Sequence, residues 1–346
     1  MTSSPSAYSG SPFELRAIWL AAHRHRRTVG LCKAWDIPLV LLFPARRNKL
    51  FWLIRVPAAV YAVVRQRPQV VFVANPSIVL TTLMLLLKLI MGFSVVVDAH
   101  NEGVRPFDRP NFLVRRLTRS LLKSATVTLV SNSGLSRDVQ EAGGRPVVLP
   151  DRLPDYPDDP AEIGGATVGR AVDVVVVATF RRDEPISELL EAAKTMTKNS
   201  FAFTGHKSSF EGLGLPLPAN VKLTGYLSDK DYWSQLRGAA VICDLTLKAD
   251  CLVCGAYEGL ALGKPLVLTD DPANHYIFGS SAVYVKRLDA AGISAALSDA
   301  LERQVELQSE SRESRTRYAT HWELLSREVQ ALIGDSCRSH QQAHGS

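Results

Sequence analysis

Residues Asp250–Pro265 read DCLVCGAYEGLALGKP. Just before them, Ala240–Thr246 (AVICDLT) is a short apolar run with the β-branched content of a buried strand, and just after them Leu266–Asp270 (LVLTD) is a second one. Between the two runs, Gly255–Leu262 is expected to form one short helix whose N-terminus points out of the sheet. A helix start presents unpaired backbone N–H groups and the positive end of a dipole, which suits phosphate, and Cys254 and Gly255 stand at that start. Two carboxylates frame it, Asp250 at the strand end and Glu258 one turn into the helix, eight positions apart. Carboxylates repel phosphate but accept hydrogen bonds from the hydroxyls of a ribose or a hexose. The chemistry of the stretch therefore fits a phosphorylated sugar carrier. The competing reading makes Asp250 an ordinary loop residue and Glu258 a helix-surface charge.

Working outward, strands and helices alternate on both sides. Phe13–Ala22 is an expected strand, Arg24–Trp35 a helix, Pro38–Phe43 a strand, Phe51–Gln66 an amphipathic helix and Val70–Ala74 a strand. Ile78–Val97 is apolar at all twenty positions except Thr81, Thr82, Lys88 and Ser94, so a membrane span has to be weighed. Gly92 divides it into a helix from Ser77 to Met91 and a strand over Phe93–Asp98, one further α/β step. A helix over Asn111–Lys123, a strand over Thr126–Ser131 and a helix over Gly134–Ala142 complete the first half. Asp151–Arg170, rich in Pro, Asp and Gly, reads as a linker. A second α/β series then opens at Val172–Ala178 and continues through Phe201–Thr204 and Val221–Thr224 to the Asp250 region. Tyr318–Ile333 is a last amphipathic helix, Met1–Pro12 is expected to be disordered, and Gly334–Ser346 is expected to be a polar tail. These divisions predict domains over 13–150 and 171–317.

A chain of 346 residues suits two domains with a core each. Its charge is divided unevenly. Residues 1–150 carry 20 Lys and Arg against 7 Asp and Glu, and residues 151–346 carry 20 against 27. The basic half points to an anionic partner such as a membrane surface or a lipid pyrophosphate, and the acidic half argues against general nucleic-acid binding. The five cysteines form no even framework and no secretory signal precedes them, which points to a reducing, cytoplasmic setting. Cys251 and Cys254 lack a second ligand pair for zinc. They are expected to pack a tight turn, the rival being a redox dithiol at a helix start.

The Asp250–Glu258 spacing resembles the donor site of the GT-B glycosyltransferases related to family 4, whose signature is Glu, seven residues, Glu. Asp250 stands where that family has its first Glu, and Glu258 matches the second. The resemblance covers roughly Phe13–Ile333 and is strongest over Val221–Asp270. It implies an α/β chain of two Rossmann-like domains with parallel sheets facing across a cleft. It also implies a hexose transferred from a nucleotide sugar without cofactor or metal, Glu258 on the ribose and Asp250 on the sugar. The family's Arg and Lys for the donor diphosphate are replaced here by Thr179 and Glu184, so that role passes to Arg181 and Arg182. The Asp183-Glu184 pair is similar to one in the β-mannosyltransferases acting on chitobiosyl-diphosphodolichol. Gly205, after the second strand of the series, would let a base or phosphate approach the backbone.

In the first half, His100 falls where the family places a His beside the donor sugar, and Asp98 or Glu102 would serve as base toward an acceptor hydroxyl if the reaction inverts. His23, Arg24, Arg26 and Arg27 follow the first strand as a basic cluster suited to an anionic acceptor or a membrane surface. The expected partners are thus a nucleotide sugar, a lipid-linked or soluble glycan acceptor in cell-surface polysaccharide synthesis, and an anionic membrane met peripherally on its inner face. The rivals are a GT-B sugar-nucleotide epimerase and a non-catalytic nucleotide-sugar-binding subunit.

Overall fold

The computed structural model describes residues 15–42, 52–75, 77–106, 112–156 and 172–344. Phe13 and Glu14 of the expected first strand, the N-terminal stretch before them, Phe43, Phe51 and Asn111 at the ends of other expected elements, and residues 157–170 of the expected linker lie outside these. The chain forms two compact units, one built from the chain up to Arg152 together with Trp322 onward, the other from Leu153–His321.

In chain order the first unit contains β1 Ala17–Ala21, α1 Arg26–Trp35, β2 Leu39–Leu41, α2 Trp52–Gln66, β3 Val70–Asn75, α3 Ile78–Met91, β4 Ser94–Ala99, α4 Asn101–Val104, α5 Phe112–Ser124, β5 Val127–Val130, α6 Ser133–Glu141 and β6 Pro146–Val148. Its six strands are all parallel, in the order β2-β1-β3-β4-β5-β6. Such strands are covered on both faces, which is why they read as short, Val-rich apolar runs. On one face, Val63 of α2, Leu80 and Met84 of α3, Leu121 and Leu122 of α5 and Val139 of α6 join one core with Val71, Val73, Val95 and Val97. On the other face Trp19 stacks on Phe72 with ring centroids 4.7 Å apart, and the Trp35 edge meets Phe72 at 5.8 Å. The twenty-residue apolar run resolves as predicted into helix and strand. Ser77 Oγ accepts from Leu80 N–H, and Gly92, at φ 71°, ends α3 in the left-handed conformation that glycine adopts without strain. Among the described residues, no helix is long and apolar enough to cross a membrane.

The second unit contains β7 Val172–Val176, α7 Ile186–Thr195, β8 Phe201–Thr204, α8 Lys207–Glu211, β9 Val221–Gly225, α9 Asp229–Gly238, β10 Ala239–Asp244, α10 Cys254–Ala261, β11 Leu266–Thr269, α11 Pro272–Phe278, β12 Ala282–Val285, α12 Ala290–Glu302 and the start of α13 Gln304–His344. Its parallel strands run β9-β8-β7-β10-β11-β12, the doubly wound order that reverses between β7 and β10. α7 and α12 cover one face through Leu189, Leu190, Ile293 and Leu297. α9, α10 and α11 cover the other through Trp233, Leu236, Tyr257, Leu260 and Phe278.

The end of the chain departs from expectation. In place of a helix over 318–333 and a polar tail, α13 is one helix of 41 residues through His344. Its buried side follows helical spacing through Leu307, Ser311, Ser314, Trp322, Ser326, Val329, Ile333 and Cys337. The buried serines are satisfied: Ser311 Oγ donates to Lys264 O at 2.9 Å, and Ser326 Oγ accepts from Trp35 Nε1 at 2.8 Å. Past Ile333, Cys337 O accepts from Ser94 Oγ at 3.4 Å and Gln341 Nε2 donates to Gln69 O at 2.8 Å, so the expected tail is tied to the first sheet.

Candidate functional site

In the second unit the reversal between β7 and β10 brings three loops together. Ligands of open α/β sheets bind outside the carboxyl ends of the strands at such a point. The turn after β7 is closed by Glu184, whose carboxylate accepts from Thr179 N–H at 3.1 and 3.0 Å, from Thr179 Oγ1 at 2.5 Å and from Phe180 N–H at 2.8 Å. Glu184 is therefore spent inside its own turn. Arg181 and Arg182 stand exposed on that turn. The loop after β10 docks on it: Leu247 N–H donates to Asp183 O at 2.7 Å, and Lys248 Nζ pairs with Asp183 Oδ2 at 2.8 Å. Burial acts to raise the Asp183 pKa, but the Lys248 hydrogen bond and charge outweigh it and hold the carboxyl below its usual range. Lys248 is a cation at this crevice that the sequence reading missed. Its signal was position, since it lies in the same loop as Asp250.

Asp250 is half-buried at φ 52°, and its N–H donates to Asp271 Oδ2 at 2.9 Å. Asp271 also caps α11 by accepting from Ala273 N–H at 2.8 Å. Asp is among the few residues that enter the left-handed region readily, because its short side chain bonds locally. This gives a backbone reason for Asp where the family pattern has Glu. Glu258 is only 2% exposed, and its Oε2 accepts from Tyr232 Oη. Tyr232, on α9, is thereby tied to Glu258 on α10.

Gly255 and Gly205 have internal duties that the sequence reading assigned to a ligand. Gly255 N–H donates to Asp244 Oδ2 at 2.9 Å, and a Cβ there would lie 2.6 Å from that oxygen and 2.8 Å from Val177 Cγ2. Burial pushes the Asp244 carboxyl well above the usual range, the Gly255 hydrogen bond opposing and the Glu184 charge adding to the rise. The helix start is thus pinned to the end of β10. Gly205, at φ 102°, passes Ala178 O so closely that a Cβ would sit 2.6 Å from it, so the close approach is to the protein's own backbone. Cys254 is the exposed first residue of α10, and burial pushes the Cys251 thiol up to about 11. A thiol in that range is protonated at neutral pH, which disfavours redox exchange at Cys251.

In the first unit the segments at the carboxyl ends of β1 and β4 bring together Arg27, Asp98, His100 and His25. Arg27 does not belong to the exposed basic cluster. It is buried, with Nε on Asp98 Oδ1 at 2.8 Å and Nη1 on Leu149 O at 2.8 Å and Asp151 Oδ1 at 2.7 Å. Burial works against its charge, but Asp98 and Asp151 hold it firmly protonated. Asp98 is correspondingly a partner for Arg27 and not an open base. His23, Arg24 and Arg26 remain exposed, and Glu102 is half-buried in the first turn of α4. The His100 ring lies 4.3 Å from that of His25, with Nε2 4.0 Å from Asp98 Oδ2. Burial, with His25 and Arg27 adding to it and Asp98 opposing, lowers the His100 pKa to about 4. His100 Nε2, Asp98 Oδ2 and Arg27 Nη2 are buried with no hydrogen-bond partner among the described residues.

The His100 shift carries a stability prediction. The folded protein prefers neutral His100, so the stabilisation is complete above the ordinary value of 6.5 and is lost as pH falls toward about 4. Unfolding free energy should fall by up to about 3 kcal/mol over that window. His100→Gln should flatten the profile in denaturant titrations across pH, and an unchanged slope would refute the assignment.

No family model matches the sequence, and neither does any curated protein. Solved structures do match. Sucrose-phosphate synthase from Thermosynechococcus elongatus superposes with TM-score 0.74 at 14% identity, over 92% of this chain and 98% of that one. The fold is that of the GT-B glycosyltransferases. Anabaena HepE, crystallised with UDP and glucose, matches at TM-score 0.68 and 13% identity over 92% and 99% of the two chains. A putative UDP-N-acetylglucosamine 2-epimerase from Listeria monocytogenes matches at TM-score 0.55 and 13% identity, over 86% and 90%.

Proposed function

We propose that this GT-B chain moves a hexose from a nucleotide-diphosphate sugar to an acceptor. The observation that carries the reading is the frame of Asp250 and Glu258 around the start of α10, at the switch point of a doubly wound sheet. HepE, with the same fold, binds UDP and glucose, which supports a nucleotide-sugar donor here. Glu258 takes the ribose, Asp250 the sugar, and Arg181, Arg182 and Lys248 the diphosphate. Cations and the helix dipole stabilise a leaving diphosphate without a divalent ion. On the first unit, His100 is held neutral and suits proton sharing with a hydroxyl. The excess of 20 basic over 7 acidic residues in the first 150 favours an anionic acceptor, and we assign a polyprenyl-pyrophosphate-linked saccharide presented at a membrane.

An epimerase is the second reading, supported by the Listeria neighbour. A non-catalytic subunit was suggested by Glu184 in place of a Lys, and Lys248 at the same crevice weakens that reading. Mass spectrometry of a nucleotide-sugar panel incubated with the protein and a polyprenyl-pyrophosphate acceptor separates the three. Glycosylated lipid with released nucleoside diphosphate is expected. An epimerised sugar, or tight binding with no turnover, would replace the proposal with its rivals.

A further inference from the structure

One face of the first unit combines exposed apolar and cationic side chains on helices that carry no acid. α3 packs beside α5, and Lys88 Nζ reaches Ser124 O at 3.2 Å where the two helices end. Their inner sides are in the core, but α3 also keeps an outer apolar stripe at helical spacing through Val79, Leu86 and Ile90, with Leu89 beside it. Leu89 is 78% exposed and Ile90 82%. On α5, Phe112 and Leu113 are 71% and 70% exposed, and Leu117 follows Leu113 by one turn. Scattered apolar residues on a surface are ordinary, whereas a run of them along two neighbouring helices marks an interaction face.

The charges decide what covers it. The 15, 14 and 13 residues of α2, α3 and α5 include no Asp or Glu. α5 meanwhile exposes Arg115, Arg116, Arg119 and Lys123, with Arg119 Nη2 also donating to Glu141 O at 2.9 Å. A second copy of this chain laid on the face would set cations against cations. An anionic bilayer meets both features, with Leu, Ile and Phe at the acyl boundary and arginine heads at the phosphates.

We propose that the α3–α5 face seats the protein on an anionic lipid bilayer. The proposal deepens the lipid-acceptor part of the reading above and rests on it for its purpose alone. It also moves the membrane contact away from the His23–Arg27 cluster, which has lost Arg27 to the interior.

Flotation of the full chain with vesicles of phosphatidylcholine, and with vesicles containing equal phosphatidylglycerol, tests it. The protein should float with the anionic vesicles at low salt, less at high salt, and not with the neutral ones. Arg115→Glu with Arg116→Glu should weaken anionic binding more than about tenfold. Leu89→Ser with Ile90→Ser, and Phe112→Ser with Leu113→Ser, should each weaken it about tenfold or more. All these positions are exposed, and circular dichroism checks that each variant folds. Vesicle binding that survives these changes, or no binding by the parent protein, overturns the proposal. So does a dimer in sedimentation that Leu89→Ser with Ile90→Ser dissolves, since the face would then join two copies. UDP binding is measured on the same preparations. A protein that binds UDP but ignores vesicles loses this proposal and keeps its donor site, and the converse result does the reverse.

Discussion

Arg27→Met should lower the unfolding free energy of the first unit by about 3–5 kcal/mol, the usual cost of stranding one partner of a buried ion pair. Arg27 Nε donates to Asp98 Oδ1, and Nη1 also holds Leu149 O and Asp151 Oδ1, which ties the carboxyl end of β4 to the segment after β6. Its removal leaves the Asp98 carboxylate uncompensated inside the sheet. Arg27→Met with Asp98→Leu should recover much of the loss, because the desolvated charge disappears with its partner. Urea titrations of the single and double variants measure both steps. A single variant within about 0.5 kcal/mol of the parent would mean that Arg27 behaves as a surface residue.

Lys248→Ala should weaken nucleoside-diphosphate binding by about 1.5–3 kcal/mol, or roughly ten- to a hundredfold, with little loss of stability. Its pair with Asp183 is partly exposed, and such pairs contribute about 0–1 kcal/mol to folding. Binding is another matter, because in the proposed donor site the ammonium would meet the diphosphate where the loops after β7 and β10 pack together. Titration calorimetry at low and moderate salt reads the effect. Equal affinity in parent and variant would assign the diphosphate to Arg181 and Arg182 alone.

Much of the fold was legible because strand and helix carry different periods. Ser77 and Gly92 marked both ends of α3, and the β-branched runs marked strands that are buried on both faces. β6 was missed because it has only three residues and begins with Pro, as an edge strand can. α13 was cut short because the serines of its buried side carry no apolar signal, although their hydroxyls are paired inside. At the site, Asp250 and Glu258 were visible because they are close in sequence. Tyr232 lies 26 positions from Glu258, and Asp98 lies 71 from Arg27, so no local window shows either pair. The basic cluster misled for the same reason: nothing in His23–Arg27 says that its last member faces a carboxylate across the sheet.

Glu258 tests the account most directly. Nucleoside diphosphates of each base are titrated calorimetrically into the parent protein and into Glu258→Gln, with circular dichroism confirming that the variant folds. At least one should bind the parent, and the variant should bind it about 1–3 kcal/mol more weakly, through the lost charge-assisted bond to a ribose hydroxyl. If no nucleotide binds, or if the folded variant binds as tightly as the parent, the second unit does not hold a nucleotide through Glu258 and the account is wrong at its centre.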